Sequence, residues 1–320
     1  MIQKVLNFLK NTEDYISGED ISRHLKISRA AICKYVHQLK ELGYDIVAVP
    51  HLGYHLIRTP DRLFPEEILY NLDTKFIGKN IYYFETVTST MDIANQLILK
   101  DTPEGTLVVA ESQTEGRGRL GRSWFSPKYK GIYVSLILKP SIFPNQAGLL
   151  TFLCAVSVVE AINELTSLDT KIKWPNDIIL SQKKLGGILL ELSAEMDRIH
   201  YAIVGIGINV NNTKKDLITG ATSLKEEKAQ HIDRVRLLQE ILRRIEFNYL
   251  EFKNDKGSYL LRRWRMFNDS LNRRIKIISK HQIWEGVAVD VDTDGALLLR
   301  EDSGIVRKVI SGDIVYCKQL

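Results

Sequence analysis

The chain has 320 residues, 44% of them hydrophobic, and a formal net charge of +5. That length suits two or three domains with real cores, and so modest a charge does not by itself imply a nucleic-acid partner. Three cysteines, Cys33, Cys154 and Cys317, are odd in number, lie far apart and match no metal-site spacing, which points to a reducing compartment.

The opening "MIQKVLNFLK" is amphipathic and carries no secretory pattern, and no unbroken apolar run approaches about 18 residues, so no membrane span is expected and a cytoplasmic location is. Residues 1–60 read as one unit. Ile2, Val5, Leu6 and Leu9 share one face of a first helix. "SGEDISRHL" gives a second, capped by Ser17 with Ile21 and Leu25 inward. Ser28 caps a third, with Ile32, Val36 and Leu39 inward. "DIVAV" and "YHLIR" then flank "PHLG" as a hairpin. This order is that of a winged helix-turn-helix. From Ile21 to Lys40 there are five Lys or Arg and no acid, the one-signed charge a helix in a DNA groove needs. Ser28, Arg29, Lys34 and His37 lie off the inward set and are the candidate DNA contacts. A protein-interaction module of the same shape is the alternative. His51 and His55 flank "LGY" and read as ordinary wing residues, with no metal site expected.

"RTPDRLFPEE" (58–67), with two prolines, reads as a linker. Residues 61–267 then alternate strands ("IYYFETV", "TLVVAES", "GIYVSLILK", "KLGGILLEL", "YAIVGIGINV") and helices ("STMDIANQLIL", "TFLCAVSVVEAINEL", "RVRLLQEILRRIEFNYLEF"), an α+β domain with a partly antiparallel sheet. Residues 268–320 are short strands ("RRIKII", "WEGVAVDV", "ALLLRE", "VRKVIS") of the size of an SH3-like β-barrel.

Within the middle domain, "GRGRLGR" (116–122) matches the glycine spacing of dinucleotide-binding loops, but no helix opens on it. It carries Arg117, Arg119 and Arg122 among its glycines, forks that hold phosphate or carboxylate where glycine lets the backbone come close. Taken alone, it is equally a solvated basic loop. "KWPND" (173–177), Lys184 before "LGG" and Asn209 at the end of "GIGIN" each also have an ordinary reading as turn, hairpin and cap.

In the order "TST", "GRGRLGRSW", "KWPND", "KLGGILLE", "GIGINV", however, the chain resembles the bacterial biotin protein ligases, specifically the bifunctional type that also represses the biotin operon. The resemblance spans the whole chain. It implies a winged helix-turn-helix, a class II synthetase-like ligase domain and an SH3-like barrel. It implies formation of biotinyl-5′-AMP from biotin and ATP, with Mg2+ carried on the nucleotide, and transfer of biotin to a lysine of a carrier such as the biotinyl domain of acetyl-CoA carboxylase. Lys184, Arg119 and Asp177 are then the catalytic candidates: Lys184 touches the biotin carboxylate and α-phosphate, Arg119 guards the adenylate, and Asp177 orients the acceptor amine or takes its proton. Ser89, Thr90, Met91, Gln113, Arg117, Gly118, Arg119 and Lys184 match biotin-binding positions. Arg117, Arg119, Arg122, Trp124, Asn176 and Asn209 match positions around the nucleotide. Two departures stand out: Met91 replaces an asparagine common in the family, and Leu120 an occasional arginine. The resemblance further implies a homodimer of the adenylate-bound form on palindromic operator DNA. A repressor without catalysis and a lipoate ligase of the same superfold are the alternatives; the intact Lys184, Asp177 and loop arginines weigh against the first, and the paired motifs against the second.

Overall fold

The structure, a computed structural model, describes residues 1–255, 257–279 and 282–317. The chain divides into two compact units, Met1–Arg62 and Leu63–Leu320.

The first unit contains α1 (Ile2–Lys10), α2 (Gly18–Leu25), α3 (Arg29–Glu41) and the hairpin of β1 (Asp45–Val49) and β2 (Gly53–Arg58). The second and third helices start where the sequence supplies a cap: Ser17 Oγ accepts from the Glu19 N–H (3.1 Å) and Ser28 Oγ from that of Ala31 (3.2 Å). Val5, Leu6, Leu9, Ile21, Ile32, Val36 and Leu39 form the buried core. Leu25, read as inward, is only half-buried, because α2 ends there and Lys26 turns left-handed (φ 54°). Gly53 is required: a Cβ there would stand 2.1 Å from the Ile16 carbonyl oxygen, where residue 16 bridges the wing.

The second unit adds α4 (Pro65–Leu69), β3 (Ile81–Phe84), α5 (Thr90–Ile98), β4 (Leu107–Ala110), β5 (Ile132–Leu138), α6 (Gly148–Thr166), β6 (Lys171–Lys173), β7 (Asp177–Leu180), β8 (Lys183–Ala194), β9 (Ile199–Ile208), α7 (Leu224–Lys228), α8 (Arg234–Asp255) and α9 (Ser258–Phe267). A five-stranded set follows: β10 (Arg274–Ile278), β11 (Ile283–Val291), β12 (Leu297–Arg300), β13 (Val306–Val309) and β14 (Asp313–Tyr316).

The main sheet runs β3-β4-β5-β9-β8-β7-β6, parallel only between β3 and β4. Strand alternation sorts its two faces. Leu107, Val109, Leu136, Leu138, Ala202 and Val204 join the large core with α6, α8 and α9, while Val108, Ile137 and Ile203 meet Met91, Ala94 and Leu97 of α5. The C-terminal strands form an antiparallel sheet, β13-β12-β11-β10-β14, fixed to the main sheet by Trp174, whose indole N–H donates to the Gly295 carbonyl (3.2 Å).

Several elements depart from the sequence reading. The linker segment runs into α4, because Pro65 at the first turn starts a helix instead of ending one. The strands β6 and β14 and the helices α7 and α9 are additional. The stretch Pro144–Thr166 is long and apolar enough by composition to cross a membrane, which counting unbroken apolar runs overlooked. Here it is a core helix, since the faces of α6 are enclosed by β8, β9, α8 and α9, and burial pushes its Cys154 thiol up to about 12. All three cysteines are free.

Candidate active site

The glycine-arginine loop rises from β4 beside the N-terminus of α5. Ser89 caps α5, its Oγ accepting from the Met91 N–H at 3.3 Å. Gln113 Oε1 accepts from Thr90 N–H (2.9 Å) and Thr90 Oγ–H (3.2 Å), and its amide donates to Ser126 Oγ (2.9 Å). Ser135 of β5 donates to Thr90 Oγ1 at 2.8 Å. Of these, Ser89, Thr90 and Gln113 form one polar wall of a cavity of about 290 Å³, with Ser126 and Ser135 holding them from behind. Met91 is buried beside them with its sulfur seated over Gly205, where a Cβ would stand 2.8 Å from it. Whatever Met91 offers a ligand is therefore apolar surface.

The opposite wall carries the charge. Lys184, from β8, places Nζ 2.6 Å from Asp177 Oδ1 at the start of β7 and 5.7 Å from the centre of the Trp124 ring. The β7–β8 hairpin brings the two together although they are not direct partners in its register: Asp177 stands opposite Gly187 and Lys184 opposite Ile179, with a register shift between Ile178 and Ile179. Glycines keep the floor thin: a Cβ on Gly207 would meet the Trp124 ring at 2.7 Å.

Each loop arginine is held by an anionic or carbonyl partner. Arg117 pairs with Asp92 (2.6 Å) and Glu191 (3.4 Å). Arg119 donates to Asn176 Oδ1 (3.1 Å), Ser311 Oγ (2.9 Å) and the Gly312 carbonyl (3.4 Å). Arg122 pairs with Asp313. Burial pushes the Arg119 guanidinium below its ordinary value, opposed by Asp313 and Asp177. Asp313, Ser311 and Gly312 come from the C-terminal sheet, so the loop is bound between two sheets.

The cavity thus brings together Ser89, Thr90, Met91, Gln113, Arg117, Gly118, Arg119, Arg122, Trp124, Asn176, Asp177 and Lys184. Asn209 lies apart, lining a small adjoining pocket of about 30 Å³ with Trp124 and Lys184; its amide donates to the Thr222 carbonyl (3.1 Å). A larger cavity of about 380 Å³ opens between Trp174, the start of α6 and the C-terminal sheet. It contains neither Lys184 nor the Ser89–Gln113 wall, so the smaller cavity has the chemistry. The reading of the sequence missed Asp92, Glu191, Ser311 and Asp313, which hold the loop. It also missed Glu111, at the loop's root, which forms a fully buried pair with Arg234 (2.8 Å) and accepts from the Leu63 N–H (2.8 Å).

In the first unit, Ser28, Arg29, Lys34 and His37 are all exposed on α3, and His37 lies 3.4 Å from Glu41. His51 and His55 do not join: His55 Nδ1 meets the Asp14 carbonyl (3.0 Å). Among the described residues no three or more His, Cys, Asp or Glu come together as a metal-binding group.

A helix-turn-helix unit preceding a mixed-sheet domain, with a cationic glycine loop facing a lysine–carboxylate pair, defines a ligase of the kind joined to a DNA reader. Residues 83–209 match the Biotin/lipoate A/B protein ligase family, residues 2–55 an HTH domain and residues 270–316 the Biotin protein ligase C terminal domain. The chain is 38% identical to the Bifunctional ligase/repressor BirA of Bacillus subtilis (strain 168) over 311 residues, 96% of this chain and 95% of that protein. It is 31% identical to BirA of Escherichia coli (strain K12), covering 97% and 95% respectively. Among solved structures, the biotin protein ligase from Aquifex aeolicus in complex with biotin and ATP superposes with a TM-score of 0.64 at 33% identity, over 75% of this chain and 100% of that one. The chain belongs to the bifunctional biotin ligase/repressor family.

Proposed function

We propose that this protein joins biotin to ATP as biotinyl-5′-AMP, passes the biotinyl group to a carrier-protein lysine, and uses the adenylate as corepressor of biotin-related transcription. The observation that carries this reading is Lys184 at the junction of a polar wall (Ser89, Thr90, Gln113) and an arginine-rich loop.

In the first step a carboxylate attacks the α-phosphorus, anion against anion. No protein nucleophile is required. Positive charge fixed in a sheltered site lowers the barrier, and Lys184, Arg119 and Arg122 supply it. Lys184 sits between the acid's cavity and the small pocket of Trp124 and Asn209, and the Trp124 ring offers an aromatic face for a purine to stack on. Magnesium, arriving on the phosphate oxygens, would neutralise further charge; the chain contributes no cluster of ligands of its own among the described residues. In the second step Asp177 is proposed to orient the acceptor amine or take its proton, a reading supported by its pairing with Lys184.

On α3, Ser28, Arg29, Lys34 and His37 are proposed to face operator DNA. Adenylate binding is proposed to order the glycine-arginine loop and favour a homodimer that pairs two winged helices. Domain limits near residues 60 and 267 and a carrier resembling the biotinyl domain of acetyl-CoA carboxylase belong to the same reading. The test is ATP–pyrophosphate exchange with biotin and with lipoate, beside operator footprinting with and without biotin plus ATP. Exchange with biotin alone and protection only with both ligands are expected. Exchange driven by lipoate and not by biotin would overturn the substrate assignment, and equal protection in both arms would remove the corepressor role.

A further inference from the structure

Three cavities meet at Lys184. The first holds the Ser89–Gln113 wall; the second, small one holds Trp124 and Asn209. The third, of about 290 Å³, is lined by Lys173, Asp177, Lys184, Tyr316 and the 218–221 segment. Lys184 borders all three, and Asp177 the first and third.

Lys173, in the "KWPND" stretch but outside every role assigned above, is the unusual group of the third cavity. Its half-buried ammonium lies 4.7 Å from the centre of the Tyr316 ring. The carboxylates around it already have cations: Asp177 has Lys184 (2.6 Å), Asp269 has Arg273 (2.6 Å), and Asp313 has Arg122. Tyr316 directs its hydroxyl away, to Asp269 (2.8 Å). Among the described residues no carboxylate lies within ion-pair distance of Lys173; burial pushes its pKa down and Lys184 adds to this, opposed by the more distant charges of Asp177, Asp269 and Asp313. An ammonium removed from water and left with an aromatic face gains most from an incoming anion.

The reaction proposed above produces one. A bond forms between the acid's carboxylate oxygen and the α-phosphorus. The bond from the α-phosphorus to the oxygen bridging to the β-phosphate breaks, and its electron pair leaves with pyrophosphate. Entering and leaving oxygens lie roughly in line across the phosphorus. With the acid in the first cavity and the α-phosphate at Lys184, the third cavity, about 290 Å³ against about 30 Å³ for the second, has the room for the leaving group. We infer that this third cavity receives pyrophosphate, with Lys173 as the cation that meets the leaving group. The inference rests on the ligase reading and adds a residue to it.

The experiment uses the full-length protein with Lys173→Met and Lys173→Arg. The first measurement is the dependence of biotin-driven ATP–pyrophosphate exchange on pyrophosphate concentration. The second is transfer to a biotinyl carrier domain from preformed biotinyl-5′-AMP, a step without pyrophosphate. The third, on the unaltered protein, is amine-reactive labelling of Lys173 with and without magnesium pyrophosphate, read by mass spectrometry. Lys173→Met should raise the half-saturating pyrophosphate concentration roughly tenfold or more, Lys173→Arg should recover most of it, transfer should be spared, and pyrophosphate but not biotin should protect Lys173. An unchanged pyrophosphate dependence, an equal loss in both half-reactions, or labelling indifferent to pyrophosphate overturns the inference. If Lys173→Met does not fold, the labelling result decides. Absence of biotin-driven exchange in the unaltered protein would overturn the ligase reading instead.

Discussion

Replacing Lys184 by alanine separates chemistry from folding. The side chain is 36% exposed and its partner Asp177 28% exposed, so the 2.6 Å ion pair is only partly shielded from water. Such a pair contributes about 1 kcal/mol or less to stability, and the fold should survive its loss. The effect on catalysis is larger. Lys184 is the point charge between an attacking carboxylate and the phosphate it attacks, and removing one preorganised contact of this kind costs about 3 kcal/mol, or ~100-fold in rate. The substitution also leaves the Asp177 carboxylate facing the same cavity without its cation, where it repels both substrates. Adding Asp177→Ala to Lys184→Ala should therefore recover part of the loss, which a simple sum of two deletions would not give. Biotin-dependent ATP–pyrophosphate exchange measures the step directly, with circular dichroism and thermal melting as controls. Exchange close to the unaltered rate in a normally melting Lys184→Ala protein would refute the assignment.

Arg119→Gly removes the contacts to Asn176, Ser311 and Gly312, so the loop should release biotinyl-AMP and label bystander lysines; streptavidin blots of mixed protein should show more signal than with the unaltered enzyme. Gly207→Ala would place a methyl 2.7 Å from the Trp124 ring and should weaken nucleotide binding, seen as a raised KM for ATP with the biotin affinity less affected. Arg29→Ala should weaken operator binding and, if its partner is a phosphate, lower the salt slope by roughly 0.9 per contact, or about 1.8 for a symmetric dimer. Glu111→Ala leaves the Arg234 guanidinium buried without its carboxylate and should cost on the order of 3–5 kcal/mol in urea unfolding, whereas Glu111→Leu with Arg234→Met should recover much of it.

Local rules made the first unit legible. Ser17 and Ser28 announce their helices by capping chemistry, and Ile32, Val36 and Leu39 keep helical spacing. The site was legible as separate motifs, because glycine, arginine and "KWPND" are unusual company in one chain. Their mutual geometry was not. Arg122 and Asp313 lie 191 residues apart, and nothing local to "GDIVY" marks Asp313 as the loop's anchor. The strand β6, at the edge of the sheet with two lysines in three residues, looks like solvated chain. The buried Glu111–Arg234 pair escaped for the opposite reason: a lone Glu and a lone Arg in sequence ordinarily mean surface.

The seat of Leu63 determines where this protein can be divided. Its side chain is fully buried, its amide is spent on Glu111, and Phe64 beside it packs on Tyr83 at 5.1 Å. A protease nick or a gene truncation that starts the ligase beyond Leu63 would pull out a cornerstone of the ligand loop while seeming to trim a tail. Residues 59–62 belong to no helix or strand, and that four-residue seam is where a free-standing ligase should begin.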